Sequence, residues 1–258
     1  TDPSLPHVEG SVDPVRDKEI VDLELQIADL ESVERKIQRQ EKIAKSGDKE
    51  AKHAIEVLTR YKEHLENFQS ARSAPVEEGD ERYVQDLSLI TMKPVLYVCN
   101  VDDASAASGN AYVERVKEAV KGENTDVLVI AGALESEIAE LEDESDRKEF
   151  LRDAGLEEPG VDKLIRSAYS LLNLEVFFTA GPKEVRAWTI RKGSTAPQAA
   201  GVIHSDLERG FIRAEVIKYE DFIRLGTEHA CKEAGKLHVE GKNYIVQDGD
   251  MLHIRFNV

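Results

Sequence analysis

From Pro14 onward the apolar residues of the chain recur at helical spacing. Ile20, Leu23, Ile27, Leu30 and Ile37 fall three, four and seven positions apart, with Glu, Asp, Lys and Arg between them, which predicts one helix with an apolar stripe. The pattern breaks at Ser46-Gly47, where Asp48 stands ready to cap a second helix. It resumes at Ala54, Ile55, Leu58, Tyr61, Leu65 and Phe68. Two amphipathic helices of similar length joined by so short a turn must run antiparallel. Residues 16–72 therefore read as an α-helical hairpin packed as a short coiled coil, behind an irregular segment 1–15.

Between 73 and 173 the period changes. Lys93 to Asn100 is a nearly continuous apolar run ending in Asn, an amphipathic helix is expected around Tyr112 to Val120, and a second apolar run covers Asp126 to Ala131. Strand, helix, strand with such runs predicts a βαβ unit with buried parallel strands, whose ligands sit at the carboxyl ends. Those ends are Asn100-Val101-Asp102-Asp103 and Ala131-Gly132-Ala133-Leu134-Glu135.

From Leu174 the runs become short and alternating. Val185 to Ile190, Phe211 to Ile217 and Met251 to Phe256 read as strands, Ala196 to His204 and Tyr219 to Leu225 as helices, and Gly193-Ser194 and Asp248-Gly249 as turns. The order suits a small β-grasp domain over 174–258, so the chain as a whole reads as α/β followed by α+β. Trp188, the only Trp, falls mid-strand. Alternation puts Arg186 and Ile190 on its face and Ala187 and Thr189 on the other, with core packing favoured over stacking on an RNA base.

Charge sharpens this division. The 258 residues carry a net charge of −17, against a molecule that binds nucleic acid by overall charge. From Leu174 onward, however, 12 Lys and Arg balance 12 Asp and Glu, so the whole acidic surplus lies upstream. Any RNA contact is expected in the C-terminal part or at the helical tip, where Lys42, Lys45, Lys49 and Lys52 cluster. Cys99 and Cys231 stand far apart without CxxC, as in a reducing cytosol. With no apolar run of 18 residues and no signal peptide, the expectation is a cytoplasmic protein without a membrane partner. His7, His53, His64, His204, His229, His238 and His253 show no metal-ligand spacing. The acids from Glu135 to Glu149 read as a solvated helical face, and no nucleophile has a partner at recognisable spacing. No catalytic residue and no metal ligand is expected within the chain.

Three ordered stretches carry a resemblance: Phe178-Thr179-Ala180-Gly181-Pro182-Lys183-Glu184-Val185-Arg186-Ala187-Trp188, then Ala196-Pro197-Gln198-Ala199-Ala200-Gly201, then Gly210-Phe211-Ile212-Arg213-Ala214-Glu215. Together they resemble the TGS domain, a ubiquitin-like β-grasp, that ends the Obg-like ATPases of the YchF or EngD family. The resemblance implies that the hairpin is an arm inserted into a P-loop-type G domain, and that the chain corresponds to the later two-thirds of such a protein. It implies ATP as the nucleotide, GTP possible, with Mg²⁺, and the ribosome as partner in translation; no DNA partner is implied. Asn100-Val101-Asp102-Asp103 resembles the family's base-reading NxxE, with the shorter Asp103 in the final place. By this carry-over Asn100 braces the base loop, the Val101 main chain meets the adenine, Asp103 lies at the base edge, and Ala131-Gly132 line its other side. Lys45, Lys49, Arg191 and Lys192 are the candidate RNA or ribosome contacts. GxxxxGK[ST], the phosphate-cradling loop, and an upstream DxxG do not occur in the chain, so the alternative is a ribosome- or RNA-binding module without hydrolytic activity. A regulatory appendage, as in threonyl-tRNA synthetases and stringent-response enzymes, would require motifs that the chain does not contain.

Overall fold

The computed structural model describes residues 9–181 and 184–257; His7, Pro182, Lys183 and most of the segment 1–15 lie outside the described residues. In chain order the elements are α1 (Pro14–Ala44), α2 (Lys49–Glu66), α3 (Arg82–Gln85), β1 (Tyr97–Asn100), α4 (Ala111–Ala119), β2 (Val127–Ile130), α5 (Gly132–Glu140), α6 (Glu144–Asp153), α7 (Gly160–Leu171), β3 (Leu174–Ala180), β4 (Val185–Arg191), α8 (Ala196–Ile203), α9 (Ser205–Arg209), β5 (Phe211–Lys218), α10 (Tyr219–Leu225), α11 (Glu228–Glu233), β6 (His238–Glu240) and β7 (Asp250–Phe256). They divide into two compact units, Thr1–Leu164 and Ile165–Val258.

In the first unit α1 and α2 form the expected hairpin. Asp13 caps α1, and Asp48 caps α2 by accepting from the Ala51 N–H at 2.9 Å. Gly47 makes the turn at φ 89°, a left-handed conformation that glycine adopts without steric cost. The helices are not of similar length, which corrects the sequence expectation. α1 has 31 residues and α2 has 18, about 46 Å against about 27 Å at 1.5 Å per residue. α2 therefore covers only the C-terminal part of α1. Val33 is buried against Ala54, Val57, Leu58, Tyr61 and Leu65, with Leu30 and Ile37 packed beside them. Ile20, Leu23 and Ile27 on the same stripe stay exposed, as does Phe68.

The N-terminal part of α1 is held instead by polar contacts. Asp29, buried, accepts from the Ile90 and Thr91 N–H groups at 2.8 and 2.7 Å and from the Thr91 hydroxyl at 2.7 Å. Lys18 bonds Asp22 at 2.7 Å and Glu123 at 2.9 Å, and Arg72 donates to Glu123 at 3.1 Å. Burial pulls the Lys18 pKa down, but the two carboxylates more than offset it and hold the ammonium above its ordinary range. Arg115 reaches both Asp13 oxygens at 2.9 Å, tying α4 to the start of α1.

β1 and β2 pair in parallel, Tyr97 beside Val127 through Asn100 beside Ile130. The apolar run opens with Pro94, which lacks an N–H, and a 3₁₀ turn at Ile90–Met92 precedes it, so the strand begins only at Tyr97. The strands are not fully buried, which is a second correction. Val98 is 46% exposed and every residue of β2 is half-buried. Among the described residues the sheet has two strands, too few to enclose both of its faces.

Among the described residues the second unit has five strands in the order β4-β3-β7-β5-β6, with β3 and β7 parallel and the other neighbours antiparallel. This is the β-grasp order, two hairpin-type pairs joined through a central parallel contact. Its core is closed: Phe177, Ile190, Ala214, Val216 and Leu252 from the sheet meet Ala196, Ala199 and Ala200 from α8. The small Ala side chains let the helix approach the sheet closely. A capping box between Thr195 and Gln198 begins α8.

Candidate functional site

Parallel register sets Asn100 and Ile130 side by side, so the loops after β1 and β2 leave the sheet together. The Val101 N–H extends the ladder by donating to the Ile130 carbonyl at 2.9 Å. The Asn100 side chain then crosses between the loops, its Oδ1 accepting from the Gly132 N–H at 2.9 Å. Gly132 is the first residue of α5, and first-turn N–H groups have no intrahelical partner. Ala131 before it offers no side-chain cap, so Asn100 supplies the acceptor from the neighbouring strand. A Cβ at Gly132 would lie 3.2 Å from Asn100 Oδ1, which explains the small residue there.

The first loop ends in a single 3₁₀ turn, Asp103–Ser105, capped by Asp102 Oδ1 accepting from the Ser105 N–H at 3.0 Å. Asp103 opens that turn with its residue exposed. Its carboxylate can only accept hydrogen bonds when ionised. Val101 is partly buried against Ala131, Leu134, Ile138 and Leu151, and its N–H is engaged, so only its carbonyl is left for a ligand. Burial pushes the Cys99 thiol above its ordinary range, which keeps it protonated and a poor nucleophile near neutrality.

Glu135 was legible only as the end of a strand segment and the start of an acid run. In the structure it caps α7, accepting from the Gly160 N–H at 2.6 Å and the Val161 N–H at 3.3 Å. A Cβ at Gly160 would stand 2.8 Å from Glu135 Oε1. Pro159-Gly160 was the available sign of a helix start. The other acids between Glu137 and Glu149 are exposed, as expected of a solvated face.

Of the residues expected at the site, Asn100, Val101, Asp103, Ala131 and Gly132 thus converge on two adjoining loops. The four candidate ribosome contacts are all exposed. Lys45 and Lys49 flank the Gly47 turn in the first unit; Arg191 and Lys192 precede the Gly193 turn in the second, with Lys192 Nζ 4.0 Å from Glu175. Trp188 is half-buried against the β-grasp core. Its Nε1 donates to Thr179 Oγ1 at 2.9 Å, and the Arg186 guanidinium covers the ring at 4.1 Å from its centroid. The face that a stacked base would need is occupied by this cation–π pair.

GxxxxGK[ST] does not occur in the sequence, and among the described residues no three His, Cys, Asp or Glu side chains cluster as metal ligands. No helix of the described residues is long and apolar enough to cross a membrane.

Residues 174–257 match the family model YchF-GTPase_C, described as a protein of unknown function. The chain is 50% identical over 260 residues to the ribosome-binding ATPase YchF of Bacillus subtilis, covering 100% of this chain and 71% of that protein. It is 48% identical over 252 residues to the ribosome-binding ATPase YchF of Escherichia coli O157:H7, covering 98% and 69%. It is 42% identical over 266 residues to the Obg-like ATPase 1 of Pongo abelii, covering 99% and 66%. The solved structure of the Schizosaccharomyces pombe YchF GTPase superposes with a TM-score of 0.85 at 32% identity, over 99% of this chain and 69% of that one.

Proposed function

Because the chain belongs to the family of YchF and Obg-like ATPases, we propose that it is part of a nucleotide-binding, ribosome-associated P-loop hydrolase that acts in translation in the cytoplasm. In this reading 16–72 is the arm, 73–173 belongs to the G domain and 174–258 is a TGS domain. The observation that supports it is the Asn100 to Gly132 bond, which braces the two strand-end loops where a purine base would enter. Asn100 is then a positioning residue, the Val101 carbonyl and Asp103 face the base edge, and Ala131-Gly132 line its flank.

ATP is favoured over GTP. A lone carboxylate accepts twice from the guanine edge but only once from the adenine amino group, so Asp103 keeps GTP possible. Val101 stands where guanine readers place a Lys along the base, and the relatives at 50% and 42% identity are named ATPases. Mg²⁺ would supply charge neutralisation on the phosphates, and no residue of this chain is assigned to it. The test is equilibrium titration of ATP and GTP against a complete protein carrying Asp103→Asn or Asp103→Glu. The ATP to GTP affinity ratio should move by about 5- to 150-fold, the equivalent of one buried polar contact. An unchanged ratio in both variants removes Asp103 from the base site.

The absent GxxxxGK[ST] loop supports a second reading, in which the 258-residue chain by itself is a ribosome- or RNA-binding module. Phosphate release at saturating ATP should then stay at background, and turnover abolished by a substitution within the chain would contradict it.

A further inference from the structure

Among the described residues β4 is an edge strand, paired with β3 on one side only. Two bonds just beyond its ends set the phase of that pairing. The Lys192 N–H donates to the Asn173 carbonyl at 2.7 Å, and the Gly181 N–H donates to the Glu184 carbonyl at 2.9 Å. Hydrogen-bonded pairs alternate along an antiparallel ladder, so Arg186, Trp188 and Ile190 turn their backbone groups toward β3. Val185, Ala187, Thr189 and Arg191 turn theirs outward. The Arg191 carbonyl is taken by Ser194; the outward N–H groups and the other three carbonyls face an open edge.

Proteins ordinarily blunt such an edge with a Pro, a bulge, a very short strand or an inward charge. β4 has no Pro and no bulge: it is seven residues long in unbroken register, and Val185 is 72% exposed. Arg186, the one charge in its middle, lies folded onto Trp188. The remaining charge is one-sided, with Arg191 and Lys192 at one end and the offsetting sequence neighbours Lys183 and Glu184 at the other.

We infer that the open edge of β4 takes an extended acidic segment of a partner protein as an added strand. Backbone pairing supplies the affinity, and Arg191 and Lys192 select for acid. A second copy of β4 paired antiparallel about Trp188 would set Lys192 against Glu184 but leave each Arg191 opposite Val185, so an acidic strand satisfies more of these cations. An RNA strand could meet Arg191 and Lys192 but has no matching row of amide donors and acceptors. The inference goes beyond the nucleotide reading and does not rest on the base site.

The test is titration of the ¹⁵N-labelled full chain with a short synthetic peptide of alternating Val and Glu, in parallel with a Val and Lys peptide and with oligouridylate. The Val and Glu peptide should give saturable shifts of the Val185, Ala187, Thr189 and Arg191 amides, and slow their exchange with solvent. Ala187→Pro removes an outward N–H while sparing every β3 bond, and should weaken binding at least about 10-fold. Methylating alternate backbone nitrogens of the peptide should do the same to the unaltered chain, which covers a failure of the Pro variant to fold. The inference is overturned if the acidic peptide gives no saturable shift, or if the Lys peptide binds equally well. It is also overturned if oligouridylate or dilution of the chain alone moves these amides, or if N-methylation leaves affinity unchanged.

Discussion

The two sheets of this chain use similar residues to opposite effect. In the second unit five strands and α8 enclose Phe177 completely, so the sheet is itself the core. In the first unit β2 is half-buried and β1 alternates half-buried and exposed residues, and the larger apolar cluster lies elsewhere, between α1, α2 and the stretch from Ala71 to Leu89. The candidate base loops therefore ride on a lightly packed strand pair that polar contacts hold in place. A loop bonded across two strand ends can stay positioned without a deep core beneath it, and such regions are where local opening is least costly.

The buried carboxylates mark the same contrast. Asp250 in the second unit is fully buried and meets a cation, Lys218 Nζ at 2.6 Å, as well as Tyr244 and the Gln247 N–H. Asp29 in the first meets backbone and hydroxyl donors at the joint between α1 and the segment leading to β1.

The sharpest way to break the comparison is Phe177→Ala, expected to cost about 3–5 kcal/mol. Trp188, the only Trp, should report early loss of the second unit by fluorescence while the helical signal of α1 and α2 melts as before. Simultaneous loss of both signals would show that the units are not independent. Asp29→Ala should cost about 2–4 kcal/mol, because three donors lose their acceptor in a buried place; calorimetry should assign that loss to the first unit. Trp188→Ala, with the ring half-buried, should cost about 2 kcal/mol, less than a full core position.

The smallest effect concerns His53, which bonds Asp80 at 3.0 Å across the first unit. That bond, opposed by slight burial, raises the imidazole pKa. A raised pKa contributes stability that is present below the ordinary histidine range and is lost as pH rises through the raised value. Asp80 is buried and the imidazole half-buried, and melting should fall by under about 4 °C between pH 6 and 8. His53→Gln should flatten that slope.

The architecture of the second unit was largely legible, because alternation, Gly turns and the Ala-rich helix all point to one arrangement. β3 and the three-residue β6 were not marked as strands: the first lies inside a motif read for its resemblance, the second is too short for alternation to register. The hairpin was legible as two helices and a capped turn, but apolar spacing cannot tell how far a partner helix extends, so the exposure of Ile20, Leu23 and Ile27 went unseen. The burial of Asp29 was not legible, because periodicity ranks it polar; it follows from donors more than 60 residues away in sequence. At the site, position was legible from the strand ends. The Asn100 to Gly132 bond and the engagement of the Val101 N–H depend on parallel register, which a single chain of letters does not display.

The most direct test of the account is where a base lands. Amide shifts of a complete, ¹⁵N-labelled protein should be mapped on adding ATP, with Asn100→Ala run beside it. The account predicts shifts concentrated at Asp103, Ala131 and Gly132, little change at Lys45 and Lys49, and weaker, less localised shifts when Asn100 no longer braces Gly132. Saturating ATP that leaves Asp103, Ala131 and Gly132 unmoved while shifting residues elsewhere in 9–173 would contradict it.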